Sequence, residues 1–442
     1  MSNASTSIPA SYVVYNDGQK YHADPQGIAG ASSSINSDAA TVINAALSAL
    51  ASGGQLFLKS GTYTIASGLI SSNSLVSIIG ESKESTILAA ASTLSADMLT
   101  LNGVGCLVRN LTFDGSNSTG GSLFKAGNSS NTTRLTIADN NLINPSASGI
   151  NLQSQAGVCF VYANRIQSFF SPVNKTSTGS GIGLNGNADG HVFQNDVGGF
   201  ISASGILMNN CSDFSITGNQ IYVNLRGIDC YLPSVARITG NNISTNRSMG
   251  LLIHADLAGT WKEVAVTGNT VRNNGTSSAN TQDGIQLSTD GVHPISGIVI
   301  DSNTCADIQG SATQRYGINV LDTGVQNCRI SNNICFGNVS AQINLGAVGT
   351  GLSVYGNLGF NPQGVAAISV GASPFTYTNN DGVPEAIYIT PGSGGTISQI
   401  AKNSVNLLNA NLAGQATVWL EPGEAVIVTY ATATAVMNKD RK

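Results

Sequence analysis

Nine times between residues 135 and 359 the chain repeats one phrase, apolar-x-apolar-x-x-Asn-x-apolar. The copies open at Leu135, Cys159, Gly190, Phe214, Ala236, Val264, Ile298, Cys328 and Leu352. Their asparagines are Asn140, Asn164, Asn195, Asn219, Asn241, Asn269, Asn303, Asn333 and Asn357, at steps of 24, 31, 24, 22, 28, 34, 30 and 24 residues. A period in this range with variable inserts is the mark of a solenoid. One copy cannot bury its own apolar face, whereas stacked copies share a continuous core.

After each asparagine comes a second short strand that usually opens with glycine: Gly149, Gly181, Gly205, Gly227, Gly250, Gly284 and Gly317, most of them followed by Ile-x-Leu or a close variant. An eighth copy, Gln342-Ile-Asn-Leu, lacks the glycine. Apolar and polar residues alternate as in half-buried strands, and no helical period interrupts them. The pattern predicts an all-β chain coiled as a parallel β-helix, three short strands per turn in three parallel sheets. Each repeated asparagine is expected at a bend, in left-handed backbone. Its amide should bond the equivalent amide one turn on, which satisfies polar groups that burial would otherwise leave unpaired. That role is structural.

A length of 442 residues ordinarily implies two or three domains, but a solenoid grows along one axis. Charged residues make up 10% of the chain and the net charge is −5. A nucleic-acid partner would need a basic stripe, and none is visible. The seven cysteines show no metal-ligand spacing. Cys159, Cys230, Cys305, Cys328 and Cys335 fall on apolar positions, as small buried hydrophobes do; a disulfide between Cys305 and Cys335 stays open. No apolar run is long enough to span a membrane. Met1–Ser7 has neither a basic nor an apolar region of a signal peptide. The Asn-x-Ser/Thr triplets at Asn110, Asn174 and Asn242 are expected by chance in so Asn/Ser/Thr-rich a chain. The pattern requires no cofactor, and calcium is left open without a clear ligand cluster.

Four parts follow: a flexible start (1–14), an N-terminal cap with the first turns (15–100), the laddered β-helix (101–372) and a C-terminal β module (373–442). The cap begins with an amphipathic helix over 38–50, with Ser37 or Asp38 as N-cap and Gly53-Gly54 beyond its end. The C-terminal module, with strands starting near Phe375, Ala386, Thr396, Ala416 and Ala425, reads as a small β-sandwich. It suits capping, trimerisation or glycan binding.

The aspartate-led helix, the run Gly53-Gly-Gln-Leu-Phe-Leu-Lys-Ser-Gly-Thr-Tyr-Thr-Ile65 and Ser77-Ile-Ile-Gly-Glu-Ser82 resemble the N-terminal region of the pectate-lyase-like superfamily, of the rhamnogalacturonase/epimerase type. With the asparagine ladder the resemblance covers roughly 15–365 and implies a right-handed single-stranded parallel β-helix. That superfamily is similar in fold across lyases, hydrolases, epimerases and phage tailspikes, so fold alone does not choose among them. In the resembled enzymes, substrate lies along the outer face of the sheet that here carries the Gly-Ile-x-Leu strands. Of the polygalacturonase-type motifs only Asp283, in Thr281-Gln-Asp-Gly-Ile-Gln, is half matched.

The inserts flank that same strand, and loops carry function more often than scaffold. Stacking at about 4.8 Å per turn places Asp229, Tyr231, His254, Asp256, Asp283, Asp290, Arg315, Tyr316 and Asp322 along one shallow groove. The candidate catalytic residues are Asp229, His254, Asp256, Asp283, Asp290 and Arg315. The candidate substrate-binding residues are Tyr231, Gln286, Tyr316, Asn319 and Asp322. Such a set suits a carboxylate pair for hydrolysis or a base removing a proton alpha to a uronic carboxylate. The expected protein is secreted or on a virion surface and acts on polysaccharide as a lyase or hydrolase. Its rivals are a non-catalytic glycan-binding tailspike or adhesin, with a homotrimer open, and a purely structural spike.

Overall fold

The computed structural model describes residues 11–27, 31–127, 132–153, 156–169, 175–259, 261–360, 365–381 and 383–441. Expectations for Met1–Ser7 and Asn174 lie outside these residues. Three sheets run the length of a coil. The first carries the strand before each ladder asparagine. The second carries the short strand after it, as at Asn141–Ile143 and Arg165–Gln167. The third carries the glycine-led strands from Ile150–Leu152 to Ala341–Leu345. Successive turns pair in parallel and in register, for example Leu142 with Ile166 and Ile166 with Val197.

Inward positions form unbroken apolar columns. On the third sheet Ile150, Ile182, Ile206, Ile228, Leu251, Ile285 and Ile318 are all wholly buried. Truncating one such residue to alanine costs about 2–5 kcal/mol, because the stacked neighbours cannot close the cavity. All seven cysteines are buried free thiols, and Cys305 and Cys335 pair in register on the second sheet.

The asparagine ladder is continuous. Each amide Nδ2 donates to the Oδ1 of the next rung at 2.8–3.1 Å, through all eight steps from Asn140 to Asn357. The same Nδ2 also reaches a carbonyl of the preceding turn, as Asn241 does to Ile216 at 2.9 Å. One detail differs from expectation. The left-handed residue is the one before each rung, not the rung itself: Asp139, Ala163, Gln194, Gly218, Gly240, Gly268, Ser302, Asn332 and Gly356 all have φ between 53° and 66°. Backbone curvature and amide bonding are thus divided between neighbours, which is why glycine recurs ahead of the asparagine.

A second ladder, unforeseen in the sequence, lines the bend between the second and third sheets. Asn224, Asn246, Asn274, Gln314, Asn338 and Gln342 pass hydrogen bonds along the axis at 2.7–3.2 Å. The glycine column packs against it. A Cβ on Gly227 would come within 2.4 Å of the Gly250 carbonyl and 2.9 Å of the Asn246 amide. Glycine is kept there by crowding.

The helix spans Ala39–Ala49, with Asp38 as N-cap accepting from the Thr41 N–H, and buries Ala39, Ala40, Val42, Ile43, Ala46 and Leu47 against the first turns. The first described strand, Tyr12–Asn16, pairs with Gly54–Leu58 and with Tyr21–Pro25. This takes residues 12–14 out of the segment expected to be flexible. The C-terminal module is two four-stranded antiparallel sheets around a separate core that includes Ile387, Ile389, Leu420 and Val428. Its first strand is Val365–Ile368, paired with Val436–Arg441, so it starts ahead of residue 373.

Candidate active site

The outer face of the third sheet presents two columns of side chains. One runs Asn151, Gly183, Leu207, Asp229, Leu252, Gln286, Asn319, Asn344; the other runs Asn185, Asn209, Tyr231, His254, Ser288. Both agree with the register read from the glycines.

Asp229 is 4% exposed. Its carboxylate accepts from Arg226 Nη1 at 2.7 Å, faces His254 Nε2 at 2.9 Å and accepts from Ser204 Oγ at 3.3 Å. Burial pushes its pKa up, but the hydrogen bond with His254 and the charge on Arg226 outweigh it, and the carboxyl lies below its ordinary value. An ionised Asp229 orients the imidazole so that Nε2 carries the proton, leaving Nδ1 without a partner among the described residues. The Tyr231 ring lies 4.9 Å from the imidazole, tilted by 39°. Its hydroxyl donates to Asp256, and that bond raises the phenol's pKa. Asp229, Tyr231, His254 and Asp256 therefore form one connected group.

A second group lies two turns further on. Asp283 is fully buried and is gripped by Arg315 through Nε at 2.9 Å and Nη2 at 2.8 Å, with Asn319 Nδ2 at 2.8 Å. Arg315 in turn covers the Tyr316 ring at 4.7 Å, and the Asn344 amide donates to Asn319. Both carboxylate oxygens of Asp283 are thus engaged, by Arg315 and Asn319, and its side chain has no exposure to the groove.

The remaining candidates are separated from both groups. Asp290 folds back on its own turn, accepting from the Val292 and His293 N–H groups and the His293 ring, which hold it at about 2. It therefore makes no pair with Asp256, although the two follow in register after Ala255 and Thr289. Asp322 closes a turn by accepting from Thr289 N at 2.6 Å and Gly324 N at 2.9 Å. Gln286 lies between the groups, 7% exposed, with no hydrogen-bond partner among the described residues. Arg226 and Ser204 were not in the candidate set. Arg226 was detectable, since it precedes the strand glycine and stands three residues before Asp229. Among the described residues no three His, Cys, Asp or Glu side chains gather as a metal-binding group, and no helix is long and apolar enough to cross a membrane.

No family model matches the chain, and no curated protein matches its sequence. Solved structures do match its fold. The A-module of the Azotobacter vinelandii mannuronan C-5 epimerase AlgE4 is 18% identical, with a TM-score of 0.52 over 72% of this chain and 94% of that one. The A-module of AlgE6 from the same organism gives 17% and 0.50, over 74% and 96%. The enzymatically active domain of bacteriophage CBA120 tailspike protein 2 gives 13% and 0.52, over 94% and 75%. At these identities the likeness establishes the fold: the chain is a right-handed parallel β-helix.

Proposed function

We propose that the protein acts on a uronate-bearing polysaccharide by removing the proton alpha to the uronic carboxylate, with β-elimination of the adjoining glycosidic bond. The observation that carries this is the Asp229–His254 contact at 2.9 Å with the Tyr231 ring tilted against the imidazole at 4.9 Å. His254 Nδ1 takes the proton. The electrons of that C–H bond form the new carbon–carbon double bond as the bond to the leaving oxygen breaks. The Tyr231 hydroxyl, kept protonated by Asp256, returns a proton to that oxygen. Base and acid stand on neighbouring turns of one wall, which suits loss of both groups from the same face of the sugar. Arg226, with about a third of its side chain exposed, supplies positive charge at the groove edge where a carboxylate would dock.

Hydrolysis fits less well. It needs two available carboxyl groups flanking the bond, whereas Asp229 and Asp283 are both buried and ion-paired. Structural neighbours support a glycan substrate: one is named for epimerising mannuronan and another is an enzymatically active tailspike domain. The second of these favours a virion-surface setting; a secreted protein stays the alternative, and a homotrimer is part of the same proposal, which light scattering would test.

Incubation with a panel of uronate and neutral polysaccharides tests the reading. Unsaturated product absorbing in the ultraviolet, formed from a uronate polymer alone and reduced about 10²–10⁴-fold in His254→Ala, is expected. New reducing ends without unsaturation would point to hydrolysis instead. Binding with no product would leave a glycan-binding protein.

A further inference from the structure

The geometry points to a neutral, amide-lined sugar-binding track on the turns that precede Tyr231, able to hold the hydroxyl groups of several consecutive pyranose units. It rests on the reading of the groove given above. Asn185 and Asn209 continue the column of Tyr231 and His254 toward the N-terminal end of the coil, and Asn151 stands beside them in the neighbouring column. Together with Gln153, Gly186 and Asn210 they line an open depression of about 500 Å³.

Three features separate this row from the structural ladders inside the coil. In the first ladder the rungs from Asn140 to Asn333 are no more than 2% exposed, and the Nδ2 of each is shared between the next amide, at no more than 3.1 Å, and a carbonyl, as at Asn219 and Asn241. The outer row is half-buried, and its amides touch only at 3.3 Å (Asn185 to Asn151) and 3.4 Å (Asn209 to Asn185). Beyond those two weak bonds, the Asn151 Nδ2, the Asn209 Oδ1 and the whole Gln153 amide have no side-chain partner among the described residues. A row built for stability would not leave donors and acceptors unpaired beside an open hollow.

Beside the hollow, Gly183 stands between Asn151 and Leu207 in the neighbouring column. A Cβ there would meet nothing closer than 3.6 Å. The backbone therefore does not demand glycine at this point, and a side chain there would stand against the Asn185 and Asn151 amides. Amides that both donate and accept match sugar hydroxyls, which do the same. No lysine or arginine is among the described residues lining the hollow, and Lys125, next to Asn151 in its column, is paired with Asp97 at 3.3 Å, so the hollow does not select for charge. One turn, about 4.8 Å, is close to the length of one pyranose unit, so Asn209, Asn185 and Asn151 mark roughly three units in line with Tyr231.

The test uses the full chain and whichever uronate polymer of the panel the wild-type protein binds, cut into a size-graded oligosaccharide series, with His254→Ala as a binder that does not consume ligand. The expected result is that affinity rises with each unit up to about four and then levels. Asn185→Ala with Asn209→Ala, made in the His254→Ala background, should weaken binding of the longest oligosaccharide about tenfold and that of a disaccharide hardly at all. Gly183→Gln, whose side chain would stand against the Asn185 and Asn151 amides, should do the same. Turnover by wild type with length-independent binding, or with full affinity in both variants, would overturn the track and leave the catalytic reading intact. Absence of binding to any uronate polymer would overturn both.

Discussion

His254 and Asp229 lie 25 residues apart in sequence, yet their side chains meet at 2.9 Å because they occupy neighbouring turns of one sheet. Arg226 closes the other side of the carboxylate at 2.7 Å. The imidazole is thereby fixed from behind, with its free nitrogen available to the groove. Asp229→Asn should keep the fold and lower turnover about 10²-fold or more, since an amide no longer selects the required tautomer. Steady-state kinetics on the uronate substrate checks this, with unchanged oligosaccharide affinity as the sign that the groove itself is intact.

The same carboxylate makes acid stability informative. Its folded pKa lies below the ordinary value of about 3.9. The stabilisation it gives is therefore fully present above about pH 4 and is lost as pH falls through the lower folded value. The melting-temperature gap between wild type and Asp229→Asn should be steady from pH 7 to about 4.5 and shrink below it. A gap that widened on acidification would contradict the ion pair.

Asp283 is expected to behave differently. Its carboxylate is fully buried and bonded by Arg315 twice and by Asn319 once. Asp283→Ala should destabilise the protein by about 3 kcal/mol, read as a shift in the urea midpoint. Molecules still folded should retain turnover within a few-fold.

The ladder can be probed rung against rung. Asn241 is buried and bonded on both sides, by Asn219 and by Asn269, whereas Asn357 ends the row and is only half-buried. Asn241→Ala strands several buried groups and should cost about 3 kcal/mol or more; Asn357→Ala should cost about 1 kcal/mol. Equal losses at the two positions would mean that the amides do not act as a stacked series.

What could be read from sequence was whatever repeats at fixed spacing. The asparagine phrase gave the coil, and the strand glycines gave the register that places Tyr231 beside His254. The second ladder was hidden by its mixture of types: Asn224, Asn246, Asn274 and Asn338 recur five residues after a first-ladder rung, but Phe200 holds that place on one turn and Gln314 sits further on after an insert. Partner choice was less legible still. Nothing along the chain announces that Asp290 turns to His293, that Asp322 serves Thr289, or that Asp283 is enclosed by a residue from the next turn. Those outcomes depend on side-chain direction and loop closure, which spacing does not encode. The C-terminal module showed five of its strands by alternation; Val365–Ile368, Val405–Leu408 and Val436–Arg441 are short or strongly polar and were missed.

The most direct test of the His254-centred chemistry is turnover of the uronate polymer in deuterated water, followed by nuclear magnetic resonance at the carbon next to the carboxylate. Loss of that carbon's proton in step with unsaturated product, abolished in His254→Ala, is the predicted result. Bond cleavage with that proton retained in every product would contradict proton abstraction and return the groove to hydrolysis.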